Sequence, residues 1–227
     1  MRTYCVVALL LAAAVASVTV SAATPVAGAG SAVQLDGVND YVQAPNLSGS
    51  FSSDTVTLEL WFNAAAAGVI VDETGQAYNP ALPNWHDSQI EILATGEVRV
   101  RVWNLASVSL GTVAFNTWHH AVLRYNQTGT RLDGFLDGVA SSGSVIQNRE
   151  SPYESGYGLY YSLGSRDTTS LGSGAWFQGR FDEVRVWNVA RTQAEIQANM
   201  YRPLLGNETG LVHYLRLDDG AGTTATD

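Results

Sequence analysis

The chain has 227 residues, of which 46% are hydrophobic and 15% are charged, and its formal charge at pH 7 is −9. This acidic balance argues against nucleic acid and anionic membrane surfaces as partners, because both repel a negative protein surface. The length is sufficient for one large β domain with its own core. The single cysteine, Cys5, lies near the N-terminus, so the rest of the chain has no disulfide and must rely on its core or on a bound metal.

The first 23 residues have the composition of a secretory signal peptide. Arg2 provides a positive start, residues 6–20 are apolar, and small residues follow at positions 21–23. The apolar run falls short of the roughly 20 residues that span a bilayer, which favours cleavage near Ala22 or Ala23 over an uncleaved anchor. No later stretch is apolar enough to span a membrane. We therefore expect a protein that is secreted, extracellular or at the cell surface, with no membrane insertion.

Alternation of apolar and polar residues dominates the rest of the chain. It is clearest over residues 56–63, 98–103 and 183–187, and this period of two is typical of half-buried β-strands. Further strands are predicted at residues 31–36, 40–43, 68–72, 88–94, 117–125, 130–136, 158–165 and 211–217. Turn-forming pairs such as Asp36-Gly37 separate them. The pattern predicts an all-β fold with two antiparallel sheets packed as a sandwich.

One helix is predicted near the end of the chain. Thr192 and Glu195 have the spacing of a capping box, in which each side chain accepts a hydrogen bond from the other residue's amide. The helix should cover residues 193–200 and end before Pro203, whose ring cannot continue it.

Four segments carry motifs in a recognisable order. They are residues 35–42 (Leu-Asp-Gly-Val-Asn-Asp-Tyr-Val), 56–62, 117–122 and 179–188, and the last precedes the predicted helix. Together they resemble the laminin-G-like, concanavalin A-like jelly-roll family. The resemblance implies a jelly-roll sandwich with one short C-terminal helix. We assign this jelly-roll domain to residues 24–217. Members of this family usually bind glycans, glycoconjugates or proteins, often with a structural calcium ion, and many are modules of larger secreted proteins.

Two segments depart from the family pattern. Residues 131–138 contain two Asp-Gly pairs where one is usual, which leaves the strand register there open. Residues 211–224 resemble the strand and turn with which such modules often begin. That strand either closes this sandwich or marks the join to a second module, and we favour both. We expect residues 218–227 to begin a linker or a next module of the same polypeptide.

The catalytic patterns of enzymes that share this fold are missing from the sequence. Glucanases place Glu, Asp and Glu at alternate positions of one strand, whereas acidic pairs here, such as Asp182-Glu183, are adjacent. Adjacent residues of a strand point to opposite faces. The sialidase Asp-box and the lyase Gln-Ile-His strand are also missing. We therefore predict no catalytic residue and no enzymatic activity.

Asp36 and Asp182 are the candidate ligands for calcium (Ca²⁺). They match acidic positions of the two most family-like segments, and Asn39 and Asp40 lie close to Asp36 in sequence. Calcium binds six to eight oxygens, which carboxylates and carbonyls supply. The structural alternative is that Asp36 forms a turn and Asp182 pairs with an arginine.

Two long predicted loops, residues 72–89 and 147–161, have the composition of a sugar site. Such sites combine aromatic rings with polar side chains that bind hydroxyls. The candidate ligand-binding residues are Tyr78, Trp85, Asp87, Asn148, Tyr153 and Tyr157. A second candidate surface is a strand face bearing Glu59, Trp61, Arg99, Arg101, Trp103, Glu183, Arg185 and Trp187. Those strand residues could equally serve to stabilise a sheet.

Three functions are compatible with these features. The leading one is a secreted, non-catalytic module that recognises carbohydrate, glycoconjugate or protein ligands within a larger extracellular protein. The alternatives are a structural adhesion or spacer module and an accessory domain of a carbohydrate-active enzyme.

Overall fold

The structure, a computed structural model, is a sandwich of two antiparallel β-sheets. It describes residues 4–8, 25–26, 30–77, 86–102, 106–146, 149, 157–164, 176–219 and 224–226. The two-sheet, all-β prediction is confirmed. Over these residues no helix is long and apolar enough to cross a membrane.

Sixteen strands and one α-helix are described. In chain order the strands are β1 (Tyr4–Ala8), β2 (Val33–Asp36), β3 (Tyr41–Gln43), β4 (Val56–Ala64), β5 (Gly68–Thr74), β6 (His86–Ile92), β7 (Glu97–Val102), β8 (Ala106–Thr112), β9 (Trp118–Asn126), β10 (Arg131–Leu136), β11 (Val139–Ala140), β12 (Ser144–Val145), β13 (Tyr160–Leu163), β14 (Gln178–Trp187), β15 (Leu211–Leu215) and β16 (Thr224–Thr226). The helix α1 covers Gln193–Asn199, and a short 3-10 turn lies at Ser48–Ser50.

The two sheets have eight strands each. The first has the order β16-β1-β3-β13-β5-β6-β7-β8. The second has the path β11-β10-β9-β4-β14-β15, with β12 paired to β10 and β2 paired to β14. The strand predicted at 211–217 thus closes one edge of the second sheet, as β15.

The core lies between the two sheets and follows the predicted alternation. In β4 the core positions are the even-numbered ones, including Leu58 and Phe62, and in β7 they are Val98, Val100 and Val102. Because successive strand residues point to opposite faces, the odd positions of β4 and the arginines of β7 lie on the two outer faces of the sandwich. Function therefore has to be sought on these outer faces or at the ends of the sheets.

The helix α1 forms as the capping box predicts. Thr192 Oγ1 accepts from the Glu195 amide, and the Glu195 carboxylate accepts from the Thr192 amide. Ile196 is the buried residue of α1 and packs against Val122 and Phe135. The helix therefore lies on the outer face of the second sheet.

Two features of the strands differ from the sequence expectations. Strand β8 was not predicted, because serines and a glycine leave Val108 and Leu110 as its only buried residues. The open register at residues 131–138 is also resolved. Asp133-Gly134 lies inside β10, and Asp137-Gly138 forms the turn with positive φ at both residues. A Cβ at Gly134 would lie 2.1 Å from Leu110 Cδ2, so a larger residue there would displace the Leu110 side chain.

Strand β1 belongs to the segment that we predict to be a cleaved leader. Its backbone pairs with β3 on one side and with β16 on the other. Cleavage of residues 1–23 stays a prediction, and it would leave β3 as the edge of the first sheet.

Candidate functional site

The outer face of the second sheet is covered by α1, and buried charged side chains lie between the helix and the sheet. Glu59, at the centre of β4, is fully buried, and its Oε1 accepts from Trp187 Nε1 at 2.8 Å. Its Oε2 lies 3.4 Å from His120 Nε2, an ion-pair distance. Burial would raise the pKa of Glu59, but His120, Arg185 and Arg191 together lower it. The carboxylate is therefore held ionised beneath α1.

A β-bulge in β14 continues this closed face. Glu183 has φ +52° where the pairing with β4 shifts, which brings its carboxylate beside Arg185. Tyr214 also donates to Glu183, at 2.6 Å. Arg185 donates to the carbonyls of Asn199 and Arg202, which fixes the segment after α1. These charges hold the helix and its following loop on the sheet.

The second candidate surface is thus divided between the two sheets. Glu59, Trp61, Glu183, Arg185 and Trp187 lie buried in the second sheet, and Trp61 Nε1 donates to the Met200 carbonyl at 2.7 Å. Arg99 and Arg101 lie in β7 of the first sheet, and Trp103 lies outside the described residues. These five residues of the second sheet therefore stabilise the sheet and its covering helix rather than form an open binding surface.

A row of polar side chains crosses the outer face of the first sheet. Cross-strand pairing puts six residues side by side on six neighbouring strands, from β3 to β8: Gln43, Ser162, Asp72, Gln89, Arg101 and Ser107. We call this set the polar row. Their neighbours in sequence, such as Val71, Ile90 and Val100, belong to the core, so the row faces outward. At about 4.8 Å per strand, it extends for about 24 Å.

The centre of the polar row is buried. Ser162, Asp72 and Gln89 are almost completely shielded from solvent. Gln43 Nε2 donates to Ser162 Oγ at 3.2 Å. Gln89 differs from its neighbours, because neither its Oε1 nor its Nε2 has a hydrogen-bond partner.

A salt-bridge cluster lies beside the row. Glu91, fully buried in β6, accepts from Arg99 Nε and from Arg101 Nη1, the latter at 3.3 Å. The Glu91 carboxylate therefore accepts hydrogen bonds from the guanidinium groups of both arginines. Both arginines are held in place against the sheet rather than extended into solvent.

Both long loops of the sequence analysis start at the same end of this sheet. Thr74, the last residue of β5, pairs with His86, the first of β6, and with Tyr160, the first of β13. The strand ends that flank the two loops, Thr74, His86 and Tyr160, therefore lie side by side at one end of this sheet. Tyr160 and Tyr41 lie two residues to either side of the row, on β13 and β3, and thus on its face.

Arg149 anchors the second of these loops in the end of the core. It is 1% exposed, and it donates from Nη2 to Glu73 Oε2 and from Nη1 to the Asp54 carbonyl. Tyr161 Oη also donates to Glu73 Oε2, at 2.6 Å. At the other end of the loop, the Leu159 amide donates to Asn46 Oδ1 at 3.1 Å. Arg149 and Leu159 are thus each held to the sandwich by hydrogen bonds.

The predicted ligand-binding residues are only partly described. Tyr78, Trp85, Asn148 and Tyr153 lie outside the described residues. Asp87 belongs to β6, two residues before Gln89, rather than to a loop. Tyr157 precedes β13 and is 50% exposed. Sequence reasoning missed Gln43, Gln89 and Ser162, because their proximity depends on strand register. Polar residues at outward strand positions were the available signal.

Asp36 and Asp182 do not come together. Asp36 lies opposite Gln178, four residues before Asp182 on β14, a separation of about 13 Å along the strand. Asp36 Oδ1 accepts from the Val38 amide at 2.8 Å, as in an ordinary turn. Burial and the charge of Asp36 raise the pKa of the nearby Asp40. Within the described ranges, no three His, Cys, Asp or Glu side chains cluster to hold a metal ion. Calcium binding at Asp36 or at Asp182 stays a prediction.

The chain is similar in sequence to one protein family. The laminin G profile of the concanavalin A-like lectin/glucanases superfamily matches residues 36–197. No curated protein matches the chain in sequence.

Solved structures share the fold at low sequence identity. A candidate carbohydrate-binding protein from Bacteroides ovatus is 18% identical over 100% of this chain and 58% of its own, with a TM-score of 0.60. Domain 4 of an extracellular arabinanase from Geobacillus stearothermophilus, in complex with arabinotriose, is 16% identical over 79% of this chain and 80% of its own (TM-score 0.54). A Trypanosoma rangeli sialidase in complex with sialic acid is 13% identical over 86% of this chain and 35% of its own (TM-score 0.55). The chain thus spans 58% of the length of the Bacteroides protein.

Breaking the Arg149–Glu73 pair should destabilise the end of the sandwich. Arg149→Met leaves the Glu73 carboxylate buried without its cation, which typically costs about 3–5 kcal/mol. Urea unfolding measures the loss. Arg131→Met is the matched control, because Arg131 is 46% exposed and its partner Asp133 keeps a second ion pair with Arg124. The loss of such an exposed cation should cost about 0–1 kcal/mol. The double variant Arg149→Met/Glu73→Gln should recover most of the loss. Equal effects of the two single arginine variants would contradict this account.

The expectation of calcium binding can be tested by melting curves. A ligand that binds only the folded state raises the melting temperature by mass action. We expect millimolar calcium to raise the melting temperature above its value in chelator. Asp36→Asn and Asp182→Asn are measured separately, since the two residues lie apart. A variant that has lost a calcium ligand should show a smaller rise. Superimposable curves of the unchanged protein in calcium and in chelator would rule out the calcium site.

Proposed function

Because the chain belongs to the concanavalin A-like lectin/glucanases superfamily, we propose that it is a carbohydrate-binding module whose ligand lies on the outer face of the first sheet. The observation that carries this proposal is the polar row, with its buried centre at Asp72, Gln89 and Ser162. The outer face of the second sheet is unsuitable, because α1 and the ion pairs of Glu59 and Glu183 occupy it.

The chemistry of the polar row suits a polyol. Hydroxyl groups of a sugar both donate and accept hydrogen bonds, and the row offers amides, a hydroxyl, a carboxylate and a guanidinium within a few ångströms of one another. Neighbouring side chains across a sheet are about 5 Å apart. An extended oligosaccharide could therefore contact several of them at once.

Aromatic side chains next to the row supply the apolar part of such a site. Tyr160 is half-buried at the start of β13, and Tyr157 is half-exposed just before it. On the other side, the rings of Tyr41 and Trp176 lie 6.4 Å apart. Aromatic rings cover the apolar face of a pyranose or furanose while polar groups bind its hydroxyls. Trp85 and Tyr78 stay predicted members of this set.

The carboxylates near the row support binding rather than hydrolysis. Glycosidases generally use two carboxyl groups that flank the scissile bond. Glu91 is held by two arginines and Glu73 by Arg149. In the described part of the polar row, Asp72 is the only carboxylate, and one carboxylate does not make an acid–nucleophile pair.

The composition of residues 1–23 supports secretion, and the matched structures support a role within a larger protein. The arabinanase match is domain 4 of an enzyme, and the sialidase match covers 35% of that chain. An accessory module that keeps a carbohydrate-active enzyme on its polysaccharide is therefore one form of this function. A spacer without ligand is the remaining alternative.

Replacing Tyr157 by alanine should weaken binding without lowering stability. An aromatic side chain covered by a sugar contributes about 1.5–3 kcal/mol, so its loss corresponds to a ten- to a hundred-fold weaker affinity at about 1.4 kcal/mol per factor of ten. A glycan and matrix-protein array identifies the ligand, and titration calorimetry measures the affinity. Melting curves measure stability in parallel.

Tyr201→Ala is the matched control for this experiment. Tyr201 is 57% exposed and packs on Trp61, over the second sheet, so its loss should leave affinity unchanged. Equal losses for the two tyrosines would argue against a site beside the first sheet. Failure of the unchanged protein to bind any glycan or matrix protein would favour the spacer alternative.

A further inference from the structure

We propose that the polar row selects neutral glycans and that Gln89 contacts a ligand hydroxyl directly. This inference rests on the proposed function and specifies its ligand class. It is carried by two observations in the first sheet: the buried, unpartnered amide of Gln89, and the balance of charges around it.

Gln89 is built into the sheet in an unusual way. It is 3% exposed, yet neither its amide nitrogen nor its amide oxygen has a hydrogen-bond partner. A buried amide without partners is costly, and most are satisfied by protein or water. Gln89 lies between Asp72 and Arg101, at the centre of the row, so a ligand hydroxyl that binds at this centre would satisfy the amide.

A hydroxyl group satisfies both atoms of a glutamine amide. It can donate its hydrogen to Oε1 and accept from Nε2, or neighbouring hydroxyls of one sugar can do so separately. A carboxylate only accepts, so a carboxylate placed at Gln89 would leave Oε1 unsatisfied. The amide therefore favours a hydroxyl over a carboxylate at this position.

The charges around Gln89 favour a neutral ligand for a second reason. The charges of Asp72 and Glu91 are balanced by those of Arg99 and Arg101. Asp87, two residues before Gln89 on β6, adds a further negative charge to this strand. Both arginines already donate to Glu91 Oε1. Recognition of an acidic sugar typically uses an arginine free to form paired bonds with its carboxylate. The overall charge of −9 adds repulsion.

Two probe sets test the ligand class. The neutral set is soluble arabinan, xylan and galactomannan, and the anionic set is polygalacturonate and sialyllactose. Affinity electrophoresis and calorimetry of the full chain should show binding to at least one neutral probe and to neither anionic probe. Binding to an anionic probe alone would overturn this inference while leaving the proposed function intact. Binding to neither set would overturn the proposed function and this inference with it.

Gln89→Leu tests the residue. Leucine has a similar size but no hydrogen-bonding group, so affinity for the neutral probe should fall tenfold or more while the melting temperature stays equal or rises. Gln178→Leu is the matched control, because Gln178 is exposed on β14 of the second sheet. If Gln89→Leu melts lower, Gln89→Asn, which keeps the amide but withdraws it by one methylene, should show the same tenfold loss. Unchanged affinity in both Gln89 variants would overturn the proposal.

Discussion

The carboxylate of Glu59 is buried at the middle of the second sheet and requires compensating positive charge. The side chains that supply this charge also hold α1 and the chain after it. His120, Arg185 and Arg191 lower the pKa of Glu59 despite its burial, and the Trp187 indole donates to it. Removing one of these cations would reduce the compensation of a buried charge, which is costly. Arg185 and Arg191 also donate to backbone carbonyls of α1 and of the chain after it, so the same cations hold these elements on the sheet. This is why the proposed ligand site lies on the other outer face.

In the first sheet, a buried carboxylate is compensated by arginines of the neighbouring strand. Its charges, Glu91 with Arg99 and Arg101, are paired within the sheet. Beside them the polar row leaves Gln89 with both amide atoms unused. The outer face of the second sheet is covered by α1, whereas the polar row crosses the outer face of the first sheet. We therefore propose the first sheet as the binding face.

The sequence predicted the elements better than the site. Strand periodicity and the Thr192–Glu195 capping box depend on local order, so they could be read directly. Strand β8 was not predicted from the sequence, because most of its residues are small. The polar row escaped for a different reason: Gln43, Asp72 and Gln89 become neighbours only through the register of separate strands, which periodicity does not specify. The aromatic loops were visible from composition, and the topology brings their anchoring strands to one end of one sheet.

The central claim is that ligand binds the outer face of the first sheet and leaves the second untouched. Backbone amide shifts of the ¹⁵N-labelled protein, titrated with a neutral oligosaccharide such as arabinotriose, measure this directly. The account predicts saturable shifts around Asp72, Gln89 and Ser162, with none at Glu59, Glu183 or α1. Shifts confined to β14 and α1 would contradict it, because they would place the ligand on the face that the buried charges close.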